Sequence, residues 1–457
     1  MRRLFSILTE PIPAEMRALL AKRWNELPSE LQTEWQAVGR HLVHCGYTMG
    51  AAHCSFGCTH CYLPKNANRV PLPSLDEMKA QIDANRRLSG PGSGLQITGG
   101  DVVDAYWQAG RADELTTILR YANDVGVVPM LMTHGQVLLE NPDYLVQLVQ
   151  EGGLRKVGIH IDITQAGRRG YPIRTLTSEA DLHPLRAAFV ELILRVRRKT
   201  RSLLSAAHTV TVTERNIDSI AEILRWLISD PRHLDVFRTV SFQTEADVGR
   251  TQFSNNPVSA QKAWRQICTG VGLELPRDNL WWGHPDCNSM TVLLVLFPEQ
   301  RAINLITPDA QSRDFWSSLL RTFGGMGSRR EDTFSSVLRK LSILVRNPGF
   351  LVKLLRYVHF RLKQENLGLE VLWRFLCGRA LGINIVLHNF MSACDLAEPH
   401  SEVVQKRLSA CTFRGALRRG EDWIAVPMCT MNTEYREGIY AEQIAVGGSD
   451  RTDGVKR

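Results

Sequence analysis

From about residue 41, short apolar runs alternate with amphipathic stretches. Runs at 41–48, 95–98, 127–133, 156–163, 206–213 and 238–243 have the length and composition of strands. Between them, helical spacing of apolar residues predicts helices near 75–89, 111–125, 141–151, 179–199 and 216–229. Asp143 and Ser219 fall in first turns, and Gly126 and Gly152 follow last turns, as helix ends favour. Six strands in strict alternation with helices imply parallel βα units. Right-handed connections roll these into an α/β fold, a partial (β/α)6 TIM-like barrel with its site on the loops at the strand C-terminal ends. AEMRALLAKRWNEL and ELQTEWQAVGRH carry helical spacing, so 1–40 reads as an N-terminal helical cap. The alternation stops near 250. A loop rich in Asn, Pro and Trp (SNNPVS, then NLWWGHPDC), an apolar strand over 290–297, a Gly-rich stretch at 324–327 and helices follow. The expected organisation is therefore a cap (1–40), a barrel (41–250) and a mixed C-terminal region (251–457).

At 457 residues with 44% hydrophobic side chains, the chain has ample material for a large core. Its net charge of +8 is small and spread along the chain, which gives no sign of a nucleic-acid partner. The opening MRRLFSILTEPIP reaches Glu10 and Pro11 before an export-type apolar segment develops, and no apolar run is long enough to span a bilayer. A cytoplasmic protein is expected, and in that reducing setting clustered cysteines read as metal ligands rather than disulfides.

Three of the ten cysteines, Cys54, Cys58 and Cys61, lie within eight residues on the loop after the first predicted strand. A [4Fe-4S] cluster ordinarily takes four thiolates, so three hold three irons and leave the fourth open to a ligand. The alternative is structural zinc, which wants four ligands; His53 or His60 could complete such a set. On the next strand loop, Gly99 and Gly100 allow a close backbone approach, and Asp101 adds a carboxylate. In GIHIDITQAGR, His160, Asp162 and Thr164 share one strand face, as do Thr209, Thr211 and Thr213, and Gln243 ends the sixth strand. Asp162 is the candidate among these for a ribose or substrate contact. Cys268 and Cys377 read as small buried hydrophobes. Cys287, Cys394, Cys411 and Cys429 sit beside polar or turn residues and are candidate ligands of an auxiliary [4Fe-4S] cluster.

CxxxCxxC followed by Tyr62, with ITGGD on the next strand, resembles the signature of the radical S-adenosylmethionine (SAM) superfamily. The resemblance implies a cluster on Cys54, Cys58 and Cys61 whose open iron chelates SAM. It also implies that Tyr62 and Gly99 to Asp101 lie at the cofactor, with Asp101 one methylene shorter than the usual Glu. One electron then cleaves the sulfonium to a 5′-deoxyadenosyl radical, and a reductant such as a ferredoxin or flavodoxin is implied. FQTEADVGR, GHPDC and GEDWIAVPMCTMNTEYR, in that order, resemble the tetraether synthase and pterin methyltransferase-like group. That group forms radicals on lipid hydrocarbon chains and couples them, using auxiliary iron-sulfur centres. The chain lacks the further N-terminal cysteines of the tetraether synthases, since only Cys45 precedes the triplet. A peptide-modifying maturase and a non-catalytic metal-binding regulatory protein are the other readings.

Between positions 334 and 363 stand seven Lys or Arg and no acidic residue. Val337, Leu338, Leu341, Leu344 and Val345 form one apolar stripe. Leu351, Leu354, Leu355, Val358 and Leu362 form a second, after the break at Asn347–Gly349. Two basic amphipathic helices of this kind suit peripheral contact with an anionic membrane, here the inner membrane face, or else pack on the barrel with a solvated basic face.

Overall fold

A computed structural model describes residues 10–251, 258–326, 333–398 and 400–452, and leaves the side chains of 333, 334 and 446–452 outside it. The opening stretch 1–9, the asparagines of SNNPVS and Gly327 lie outside the described residues.

The six expected strands form in the expected order: β1 (Cys45–Ala51), β2 (Gly94–Gly99), β3 (Val128–Thr133), β4 (Lys156–His160), β5 (Ser205–Val212) and β6 (Phe237–Thr244). All five successive pairings are parallel. Helices cover both the crossovers and the core: Leu115, Leu119, Leu145, Leu148, Phe189, Ile193 and Leu224 pack against Leu95, Ile97, Leu131, Val157, Ile159 and Val210. Each such side chain contributes roughly 1.5–3 kcal/mol on full burial.

Five more strands come from beyond residue 250: β7 (Asn288–Leu296), β8 (Arg301–Asn304), β9 (Ala380–Asn389), β10 (Phe413–Arg419) and β11 (Asp422–Pro427). They join the same sheet, whose order is β11-β10-β1-β2-β3-β4-β5-β6-β9-β7-β8. β9 extends it parallel to β6 and β10 parallel to β1, while β7, β8 and β11 are antiparallel. Eight parallel strands thus run side by side where six were expected. The result is a mixed α/β molecule with one large, mainly parallel sheet that is not closed. The region after 250 supplies both flanks of that sheet.

Two local expectations fail for identifiable reasons. AEMRALLAKRWNEL yields a helix (Ala14–Asn25), but ELQTEWQAVGRH forms turns and bridges instead. The Gln36 amide is buried, donates to the carbonyls of Leu31 and Gly283 and accepts from the Gly283 amide, which ties the segment to the 279–283 loop. Cys377, expected inside an apolar helix, is exposed just past the helix Glu370–Leu376, whereas Cys268 is buried as expected.

Candidate active site

The loop after β1 is held from three sides. The amides of Gly100 and Asp101 donate to the carbonyls of Ala51 (2.7 Å) and His53 (2.9 Å); the Gly57 amide reaches Ala166 at 2.8 Å; and the Arg250 amide donates to Cys61 (3.1 Å) and Leu63 (2.9 Å). A side chain at Gly99 would bring its Cβ 2.0 Å from the Ala51 carbonyl oxygen, and one at Gly100 would stand 2.0 Å from that of His53. The two glycines let the end of β2 lie against the cysteine loop.

This brings Cys54, Cys58 and Cys61 to one end of the sheet, where all three line a cavity. Burial, together with the charge of Asp101, pushes the Cys54 thiol up to about 12; burial and the neighbouring Cys61 and Cys54 push Cys58 well above its ordinary value. Thiols in such surroundings ionise when a cationic centre neutralises them. Burial works against the charge of Arg250, but its contact with Cys61, with Cys54 and Cys58 beyond, raises its pKa above the ordinary value. Among the described residues, no three His, Cys, Asp or Glu side chains close around one ion position, the arrangement a zinc ion about 2.3 Å from each sulfur requires. In a [4Fe-4S] cluster each thiolate binds a separate iron, so three half-buried cysteines beside a guanidinium fit that group.

The other sequence candidates are placed as follows. The Tyr62 hydroxyl donates to the Gly99 carbonyl at 2.5 Å, and both residues line the cavity. Gly100 and Asp101 line it too, but the Asp101 carboxylate is occupied within the protein. It accepts from the Asp104 amide (2.8 Å), the Thr133 hydroxyl (2.7 Å) and the His134 amide (2.6 Å). Asp162 is fully buried behind His160: its Oδ2 is 2.5 Å from His160 Nε2, and it accepts from Thr164 and from the Thr211 amide. Burial opposes its ionisation, but His160, Thr164 and Thr211 together hold its pKa well below the usual carboxylate range. His160, Thr209, Thr211 and Gln243 face the cavity, whereas Thr213 turns to its own loop and Asn216.

Cys287, Cys411 and Cys429 converge across more than 140 residues of sequence. Burial pushes Cys287 up to about 11 against the pull of Arg407, whose Nε donates to its sulfur at 3.2 Å. Burial and the adjacent Cys411 and Cys287 push Cys429 up to about 12. Cys394 does not join them. It is exposed on the short helix Ala393–Leu396, although its neighbours Met391 and Leu396 pack with Cys429. Cys429, Met391 and Met428 also line the cavity that holds the first triplet, so the second cysteine set reaches that space through Cys429.

Several lining or bordering groups went unassigned in the sequence. Glu245 is buried, and both its carboxylate oxygens lack an aligned hydrogen bond among the described residues; the nearer is 2.8 Å from His60 Nε2. Phe56 stacks on His134 at 3.7 Å, and the Arg168 guanidinium lies over the Phe56 ring at 5.2 Å. Arg436 is buried over the Tyr62 ring at 4.6 Å. Glu245 and Arg250 both fall within FQTEADVGR, and the parity that places Gln243 on the cavity face also reaches Glu245.

No family model and no curated protein matches this sequence. Solved structures with some likeness include anSMEcpe, an anaerobic sulfatase-maturating radical SAM enzyme, with bound AdoMet: 10% identity over 49% of this chain and 57% of that one, TM-score 0.33. The same protein with AdoMet and a peptide bound gives 10% identity over 47% and 55%, TM-score 0.31. An O-GlcNAc hydrolase mutant from Thermobaculum terrenum gives 12% over 47% and 46%, TM-score 0.26. The chain thus spans little more than half the length of anSMEcpe. Superpositions this loose carry no argument about chemistry, and two different kinds of enzyme share them.

Proposed function

We propose that this protein is a radical SAM enzyme. The observation that carries the reading is the gathering of Cys54, Cys58 and Cys61, half-buried beside Arg250, on the wall of a cavity that Gly99, Gly100 and Tyr62 also border. When bound, a [4Fe-4S] cluster and SAM would supply a one-electron cleavage of the sulfonium and a carbon radical able to take hydrogen from a substrate.

The chain's own residues have roles that follow from their contacts. Arg250 neutralises thiolate charge and, through its amide, clamps the cysteine loop. Tyr62 fixes the Gly99 carbonyl at the cavity edge. Glu245 offers an unpartnered carboxylate oxygen suited to a cationic or hydroxyl-bearing ligand such as SAM. Asp162 orients His160 from behind, and Asp101 braces the ends of β2 and β3 against each other. Cys287, Cys411 and Cys429 are proposed to hold an auxiliary cluster, with Cys394 as a fourth ligand only if its short helix turns inward. Phe390, Met391 and Met428 give the shared cavity an apolar wall, which favours a large apolar substrate such as a lipid chain.

Anaerobic reconstitution with iron and sulfide, followed by dithionite and SAM, tests the reading. We expect 5′-deoxyadenosine from the wild type and none from Cys58→Ala. A protein that binds its cluster yet forms no 5′-deoxyadenosine would instead be the non-catalytic metal binder. Residual iron in the triple Cys54, Cys58 and Cys61→Ala variant checks the second site, and near-zero iron there rules it out.

A further inference from the structure

Eleven of the fifteen large hydrophobic residues exposed among the described residues fall between positions 337 and 376. They lie on three consecutive helices, Thr333–Arg346, Pro348–Gln364 and Glu370–Leu376, and on Leu369 just before the last. The first helix is turned against the usual rule. It buries Ser335, Arg339 and Ser342 alongside Ile343, with Arg339 donating to the Pro11 carbonyl, while Val337, Leu341 and Val345 are 49%, 52% and 80% exposed. Leu351, Val352 and Leu355 continue the apolar surface, and Trp373, Phe375 and Leu376 end it. An apolar stripe facing outward over a satisfied polar face is not explained by packing within the chain.

Charge selects the occupant. From 333 to 364 the chain has no acidic residue, and Lys340, Arg356 and Lys363 are exposed beside the apolar positions. A second copy docked here would set these cations face to face. Leucines and an aromatic rim among lysines and arginines match the headgroup and acyl boundary of an anionic bilayer. No described helix is long and apolar enough to cross a membrane, so the three helices would lie in the interface.

We propose that residues 333–376 form a peripheral membrane-docking surface for anionic bilayers. Helix Glu370–Leu376 packs through Val371 on Ala380 at the start of β9, whereas Phe390 and Met391, just past the end of β9, line the cavity. Ten strand residues, roughly 30 Å, separate them. The surface therefore anchors the chain and does not itself open the cavity to lipid. This inference is independent of the radical SAM reading, because docking needs no cluster.

Flotation of the full chain with phosphatidylcholine vesicles, with and without phosphatidylglycerol, tests it. The protein should float with the anionic vesicles and detach in high salt. Leu341→Glu/Val345→Glu/Leu355→Glu, whose positions are exposed, should weaken binding at least about tenfold with an unchanged circular dichroism spectrum. Lys340→Glu/Arg356→Glu should abolish the preference for anionic lipid. Failure to float, binding indifferent to the triple variant, or a wild-type dimer that the triple variant dissolves would each overturn the proposal.

Discussion

Gly100 shows how a residue legible in the sequence can carry more than its motif implies. Its missing side chain is what admits the His53 carbonyl, so Gly100→Ala forces two backbone segments apart. Overpacking of this kind costs about 1–3 kcal/mol. We expect that loss in urea denaturation of the apo-protein, together with lower iron per chain after reconstitution. Asp101 separates scaffold from ligand contact in the same way. Its carboxylate accepts from Asp104, Thr133 and His134, and the amide of Asp101→Asn would set a donor against a donor at one of these sites. Apo-protein stability should fall by about 1–3 kcal/mol. A residue serving only as a cofactor ligand would leave that stability unchanged.

Among the elements, the strands of the alternating region were legible because parallel strands buried on both faces appear as compact apolar runs. Those predicted runs correspond to β1 through β6 with small shifts at their ends. The hairpin of β10 and β11 was not legible. Its sequence, FRGALRRGEDWIAVP, mixes charge with apolar residues because its pairing with β1 and not its own pattern holds it. Gly415 marks the contact: a Cβ there would stand 2.5 Å from the Tyr47 ring. Gly415→Val should therefore unseat the hairpin from β1, with about 1–3 kcal/mol lost in thermal or urea denaturation. ELQTEWQAVGRH fails in the opposite sense, since its helical pattern is overridden by the buried Gln36 amide.

Across the whole molecule, buried histidines couple stability to pH. His208, which accepts from Arg186 Nε at 3.2 Å, is held well below its ordinary pKa by burial and by Arg186. Burial lowers His388 to about 4. In both cases the unfolded chain takes up a proton near pH 6.5 while the folded chain does not. Stability is thus greatest above pH 6.5 and falls as the pH drops below it. Between pH 7.5 and 5.5 each contributes a loss of about 1.4 kcal/mol, measurable by urea titration of the apo-protein. His388→Asn should remove one share of that slope.

By itself the sequence determined the alternation of β and α, the loop carrying Cys54, Cys58 and Cys61, and the glycines beside it, because these depend on short-range period and spacing. Only the tertiary structure decided that eight parallel strands lie side by side, that Cys287, Cys411 and Cys429 meet while Cys394 does not, and that Asp162 stands behind His160. It also decided that the helix Thr333–Arg346 turns its apolar stripe outward. Those outcomes depend on which distant segments share a sheet edge or a cavity wall, and no local periodicity encodes such long-range pairing.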